Sequence, residues 1–273
     1  MKIYDMHIHS RPGEAAPDAL LEKMEKAGVY GGVLLSPAPQ EYQQGQYIFH
    51  LPYRERIRHL FQWTQPSAGR LFPFLWVHPF EKDAVEIIRD AAHEGVMGYK
   101  MICDSFPVYA PEALKTMEAI AKTGLPILFH SGILYGRYPS AQFNRPANWE
   151  YLLAYPGLRF AMGHCSWPWH DECIALYGEF QANRQRKPGS EMYFDLTPGT
   201  PKIYRRELLT KLYTVGYDVE NNIFFGTDKS TDYDAQYAQD WLRFDQEIFD
   251  ELGLTQEHRE KIYEKNLMRF LGK

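Results

Sequence analysis

Eight short apolar runs, alternating with mostly longer amphipathic stretches, constrain this chain more than any other feature. They cover residues 3–8, 31–35, 71–77, 96–102, 125–130, 158–163, 192–196 and 222–226. A short run without polar alternation reads as a strand buried on both faces, as in a parallel sheet. Helix-like segments stand between and after the runs, over residues 17–27, 83–93, 111–122, 149–154, 170–181, 201–213, 235–252 and 256–271. Pro17 and Pro111 open two of them, and Gly95, Gly124, Gly157 and Gly253 fall where a helix end or turn calls for positive φ. Eight strands alternating with helices in a chain of 273 residues predict a (β/α)8 TIM barrel, with an open doubly wound sheet as the main rival. No domain boundary interrupts the pattern, so residues 1–273 are expected to form one domain. Residues 40–69, after the second strand, are too long for a plain connection and carry their own helical stretch over 53–63. They are expected as an insertion over the top or side of the barrel, a lid or an interface.

Composition narrows the function classes. The net charge of -5 gives no support to a nucleic-acid or anionic-membrane binder, which would show a basic face. No apolar run approaches the ~18 residues of a membrane-spanning helix. The residues after Met1 lack the apolar core of a signal peptide. Three cysteines, Cys103, Cys165 and Cys173, are too few and too odd in number for a disulfide framework. A cytoplasmic protein acting on a small molecule, with no nucleic-acid or membrane partner, is the expectation.

Several of the apolar runs end in, or are directly followed by, a polar residue able to bind metal. The first holds Asp5-Met6-His7-Ile8-His9, and side chains two apart on a strand share a face. His130 ends the fifth run, His164 follows the sixth, and Asp228 follows the eighth within Phe225-Gly226-Thr227-Asp228. Lys100 lies near the end of the fourth. In a barrel the C-terminal strand ends meet at one mouth, so these residues would converge. Nitrogen and carboxylate donors together suit Zn²⁺, and also Mn²⁺, Fe²⁺ or Co²⁺. Any one of them alone reads equally well as a solvated residue at a loop start. His170 opens a helix and reads as a cap or pocket-edge residue; His78 follows the third run, before Pro79, and could face the mouth, with a ligand role the lesser reading.

The combination Asp5-x-His7-x-His9, His130-Ser131-Gly132, Gly163-His164 and Phe225-Gly226-Thr227-Asp228 resembles the amidohydrolase superfamily. Within it, the chain is most similar to the amidohydrolase-related branch of hydrolases, lactonases, decarboxylases and hydratases. The resemblance runs over essentially the whole chain. It implies His7, His9, His130 and Asp228 as metal ligands. It implies His164 as a second-metal ligand in a binuclear site, or as a catalytic residue in a mononuclear one. Lys100 stands where binuclear members carry a carboxylated bridging lysine; its other reading is an anion-binding charge at the mouth. One or two divalent ions, zinc first among them, and a homo-oligomeric assembly are compatible with the resemblance.

The chemistry expected of such a site is hydrolysis of an amide, ester or lactone. A divalent metal acidifies water and polarises a carbonyl. Asp228 is the candidate general base, and His164 would polarise the substrate carbonyl or complete the metal shell. Recognition is expected from loops after the strands, with Tyr135, Arg137, Arg145 and Trp167 as candidate contacts to a carboxylated substrate. For Arg137 and Arg145, surface ion pairs are the competing reading. Cys165 is set aside as a nucleophile, because strand alternation turns it away from His164. A non-oxidative decarboxylase or hydratase could use the same residues. A nuclease is disfavoured by the acidic balance, and a non-catalytic metal-holding protein is a further alternative.

Overall fold

The protein is described by a computed structural model covering residues 1–11, 13–43, 46–135, 139–199 and 201–273, with the side chains of residues 42 and 43 left aside. The chain opens with β1 (Tyr4–His9), α1 (Pro17–Lys26) and β2 (Gly31–Leu35), then a hairpin of β3 (Gln40–Gln43) and β4 (Gln46–Phe49). There follow α2 (Tyr53–Thr64), β5 (Leu71–Trp76), α3 (Ala84–Glu94), β6 (Gly98–Met101), α4 (Pro111–Thr123) and β7 (Ile127–Phe129). Next come β8 (Arg159–Met162), α5 (His170–Arg186), β9 (Glu191–Asp195), α6 (Lys202–Thr214), β10 (Ile223–Phe224) and β11 (Lys229–Ser230). The chain closes with α7 (Ala235–Glu251), α8 (Gln256–Glu260) and α9 (Asn266–Leu271). Each of the eight apolar runs forms a strand.

Nine strands make one curled parallel sheet in the order β10-β9-β8-β7-β6-β5-β2-β1-β11. Its two ends, β10 and β11, are separated in the chain only by residues 225–228. The Met6 N–H of β1 donates to the Phe225 carbonyl at 2.9 Å. Residues 223–230 therefore lean on β9 with their first part and on β1 with their last.

Alternation along the strands sorts side chains onto two faces. Leu34, Leu75, Tyr99, Phe129, Phe160 and Phe194 face the helices in the larger core. Tyr4, Met6, Val33, Phe72, Phe74, Leu128, Ala161, Tyr193 and Phe224 gather in a second, inner core with Leu267 and Phe270 of α9. Phe270 packs on Tyr193, Phe224 and Phe74 at centroid distances of 4.9, 5.1 and 6.4 Å. The inner apolar layer is thus plugged by α9, and the polar residues of the same phase lie further along the strands.

Three features depart from the sequence reading. The β3–β4 hairpin was not foreseen, because its Gln-rich residues carry no apolar pattern. The stretch expected as a helix over 149–154 is a 3-10 segment, Pro146–Ala154. The closing helix is interrupted by a π-turn, Lys261–Lys265, which lets the Ile262 carbonyl take the Phe225 N–H at 3.4 Å. The hairpin packs through Tyr47 against His78, with ring centroids 4.2 Å apart. No described residue between 40 and 69 lines the polar cavity discussed next.

Candidate metal centre

The inner face carries the site because each strand continues its inward phase one or two residues past the apolar layer. Leu128 is followed in phase by His130, Tyr193 by Asp195, and Phe224 by Gly226 and Asp228. Lys100 follows Gly98, whose missing side chain leaves room for the Phe74 ring. On β1 simple alternation would make Met6 and His7 face opposite ways. The pairing with β2 slips between Asp5 and Ile8, so three residues of β1 span two of β2. This bulge changes the phase, so that Met6 stays in the inner core while His7 and His9 also turn inward.

The result is a cavity of about 300 Å³ lined by His7, His9, Lys100, His130, His164 and Asp228, together with Ile102, Ile133, Leu134, Tyr135 and Trp167. His7 Nε2 lies 3.2 Å from His9 Nε2 and 3.5 Å from Asp228 Oδ1. His9 Nε2 lies 3.2 Å from the same oxygen. These three residues form a group whose donor atoms all fall within 4.8 Å of one another. Lys100 Nζ is 3.3 Å from His7 Nε2. The His130 and His164 rings are 4.9 Å apart, and His7 and His164 5.5 Å. Nε2 of His130 is buried without a hydrogen-bond partner. Imidazole lone pairs beside a carboxylate, with one further buried nitrogen unused, fit a divalent cation such as Zn²⁺.

Burial governs the charge states. It lowers the His7, His130 and His164 imidazoles below their ordinary value, so they are neutral. It also brings the Lys100 ammonium down to about 8. Burial pushes the Asp228 carboxyl upward, but its contacts with the His7 and His9 ring nitrogens leave it below the usual carboxylate range, so it is ionised at neutral pH. The His164 Nδ1–H donates to the Thr197 carbonyl at 3.3 Å. A neutral His164 held this way offers a lone pair at Nε2, not a proton. Of the two roles expected for it, completing a metal shell suits this geometry better than polarising a carbonyl.

Backbone strain helps to place two of these residues. His164, Cys165 and Ser166 have φ of 58°, 43° and 60°, and Asp228 has 59°. Each such left-handed residue costs on the order of 1–3 kcal/mol. The Ser131 hydroxyl holds the bent segment by donating to the Gly163 carbonyl at 2.6 Å, and the Ser166 hydroxyl donates to Ser131 Oγ at 2.9 Å. Gly199 passes so close to His164 that a Cβ there would lie 2.8 Å from Nδ1. Burial pushes the Cys165 thiol well up, and it donates to the Asp195 carbonyl at 3.4 Å, away from the cavity.

The four residues expected to contact substrate are placed differently. Tyr135 and Trp167 line the cavity, with rings stacked at 6.3 Å. Arg145 does not line it: its guanidinium pairs with Glu172 at 2.6 Å and lies over Trp169. Arg137 lies outside the described residues. Two supporting carboxylates carried no assigned role in the sequence reading. Asp195 Oδ2 lies 2.8 Å from His7 Nδ1. Asp5 accepts the His7 and Thr227 N–H groups at 2.9 and 3.0 Å and the Thr227 and Tyr233 hydroxyls at 2.6 and 2.9 Å. It ties the first strand to the segment carrying Asp228, although burial pushes its carboxyl up to about 6. An aspartate inside an apolar run was the available signal for Asp195.

Comparison with known proteins agrees with this architecture. The model of the family described as amidohydrolase matches residues 4–273. Among solved structures, the chain is similar to a probable 2-pyrone-4,6-dicarboxylic acid hydrolase from Acinetobacter baumannii (TM-score 0.63, 11% identity, 100% of each chain covered). It is also similar to 2,6-dihydroxybenzoate decarboxylase from Rhizobium (TM-score 0.64, 16% identity, 100% of this chain and 99% of that one). A third is 5-carboxyvanillate decarboxylase from Sphingomonas paucimobilis (TM-score 0.66, 13% identity, 99% of each). At these identities the likeness is one of fold. No curated protein matches the sequence.

Proposed function

The chain belongs to the amidohydrolase family, and from that premise we propose that it is a metal-dependent hydrolase of a C–N or C–O bond in a small, carboxylated substrate. We read its curled sheet as a closed (β/α)8 barrel, supported by the way residues 223–230 touch both β9 and β1. The observation that carries the functional reading is the convergence of His7 Nε2, His9 Nε2 and Asp228 Oδ1 within 3.5 Å on one side of a cavity.

In this reading His7, His9, His130 and Asp228 hold one divalent cation, zinc foremost, and His164 with Lys100 provides for a second. A bound cation supplies Lewis acidity toward a substrate carbonyl and toward water. Asp228, ionised at neutral pH, takes the proton from the attacking water and returns it to the leaving nitrogen or oxygen. The neutral histidines stay unprotonated through neutral pH and keep their lone pairs for binding. Ile102, Ile133 and Leu134 exclude water beside the reacting bond, and the Tyr135–Trp167 pair offers a flat wall to the substrate body. Lys100, buried and 3.3 Å from His7, serves either as a carboxylated bridge or as the cation that meets a substrate anion. A second reading, non-oxidative decarboxylation, is favoured by the two decarboxylases of similar fold.

Elemental analysis of protein purified without chelators or a His-tag column tests the metal, alongside Lys100→Ala. About two ions per chain, falling when Lys100 is removed, support a bridged hydrolase site. About one ion, indifferent to Lys100, shifts weight to the decarboxylase. Product analysis with candidate amides, lactones and aromatic acids then separates the two by release of carbon dioxide. No metal after reconstitution with Zn²⁺ or Mn²⁺ refutes both.

A further inference from the structure

Asp195 is wholly buried, and its two oxygens are used differently. Oδ1 accepts the Thr197 backbone N–H at 2.9 Å and also the Thr197 hydroxyl. Oδ2 is thereby left to face His7 Nδ1 at 2.8 Å. Burial pushes the Asp195 carboxyl up, but both Thr197 donors on Oδ1 favour its ionised form, which has only lone pairs to offer, so the proton of that contact sits on Nδ1. A neutral imidazole protonated at Nδ1 carries its lone pair on Nε2. That is the atom turned toward His9 Nε2 and Asp228 Oδ1.

We propose that Asp195, oriented by Thr197, is a positioning residue that fixes His7 as the Nδ1–H tautomer and so aims the Nε2 lone pair at the His9–Asp228 cluster. The inference rests on reading that cluster as a cation site. It extends to His164, because the carbonyl that receives its Nδ1–H belongs to Thr197 of the same turn. Between the two, the Leu196 carbonyl is held from behind by Arg205, whose guanidinium is paired with Asp245. One short turn after β9 thus orients a histidine from β1 and another that follows β8.

The decisive substitution is Asp195→Asn, which preserves shape and changes the proton logic. The two donors of Thr197 still require an acceptor, so the carboxamide oxygen stays on Thr197 and the NH2 group faces His7. His7 must then accept at Nδ1 and carry its proton on Nε2, where the lone pair is needed. Asp195→Ala removes the partner and leaves His7 free to adopt either tautomer. A residue that only fills space predicts Asn to be the milder change; the orienting role predicts the reverse.

Two readouts test this. The first is the long-range proton–nitrogen NMR spectrum of the full-length, metal-free protein labelled with ¹⁵N-histidine, with His7 assigned by its loss in His7→Gln. Nδ1–H in the wild type and Nε2–H in Asp195→Asn are expected. The second is zinc affinity by competition with a chromophoric chelator. Loss of an outer carboxylate partner typically weakens metal binding about 10–100-fold, and Asp195→Asn is expected to fall below Asp195→Ala. The proposal is overturned if Asp195→Asn binds zinc as tightly as Asp195→Ala or tighter, or if wild-type His7 carries its proton on Nε2. Should Asp195→Asn fail to fold, the wild-type tautomer decides alone. A tautomer switch in a protein that binds no zinc would uphold the orienting role and refute the cation site.

Discussion

Arg205 and Asp245 allow a stability prediction to be worked from geometry. Arg205 Nε meets Asp245 Oδ1 at 2.8 Å and Nη2 meets Oδ2 at 2.7 Å, a two-point pair. The side chains are 4% and 1% exposed, so water cannot replace a lost partner. Asp245→Ala would leave a buried guanidinium with the Leu196 carbonyl as its remaining acceptor among these groups. Breaking a buried pair by removing one member typically costs about 3–5 kcal/mol, because the other charge stays desolvated. At about 2–4 °C per kcal/mol for a chain of this size, Tm should fall by roughly 6–20 °C. Removing both charges with Arg205→Met and Asp245→Leu should recover most of that loss, since well-packed apolar replacements of buried pairs are often neutral or stabilising. Urea unfolding with an unchanged m-value, read beside calorimetry, is the appropriate assay. A single variant that loses less than about 1 kcal/mol would refute the reasoning, as would a double variant as unstable as the single one.

Three further outcomes are expected. Gly199→Ala should displace His164, because the new Cβ would lie 2.8 Å from Nδ1 and 3.0 Å from Cγ; turnover should fall at least tenfold with far-UV circular dichroism unchanged. Arg145→Ala should leave kcat, KM and Tm as they are, since its guanidinium is taken up by Glu172 outside the cavity; a raised KM would place it in substrate binding after all. His170 is pulled by burial down to about 4 from its ordinary 6.5. The unfolded chain therefore takes up that proton first, and stability declines as pH drops from about 6.5 toward 4, by roughly 1–3 kcal/mol. His170→Gln should flatten this part of the stability profile, and an unchanged slope in acid urea titrations would contradict it.

How much was legible beforehand depended on whether the signal was local. The strands that build the sheet were visible because burial on both faces demands continuous apolar runs, as at residues 31–35 and 71–77. The polar residues closing those runs, His130 and Asp228 among them, stood out by contrast with what preceded them. His7 and His9 do share a face, but the phase change that lets Met6 join the inner core comes from pairing with β2. No periodicity in β1 alone encodes it. The β3–β4 hairpin and the two-residue strand β11 are defined by their partners' hydrogen bonds, and their polar sequences resemble loops. Asp195 stands out as an aspartate inside an apolar run, but its partner His7 lies 188 residues away in the chain, and no local pattern names it. Arg145 reads equally as a substrate contact or as a surface ion pair by sequence position, and the tertiary structure supplies Glu172 as its partner.

The plug formed by α9 has a consequence for synthesis. Leu267 and Phe270 fill the inner layer beneath the histidines, yet they follow every strand in the chain. A ribosome-bound chain that has exposed all nine sheet strands still lacks the side chains that pack against Phe74, Tyr193 and Phe224. Until residue 271 has left the exit tunnel, the sheet has a hollow interior and the candidate ligands have no rigid floor. Vectorial synthesis therefore delivers the cavity last, and a nascent chain stalled before residue 266 should hold its strands without a competent site.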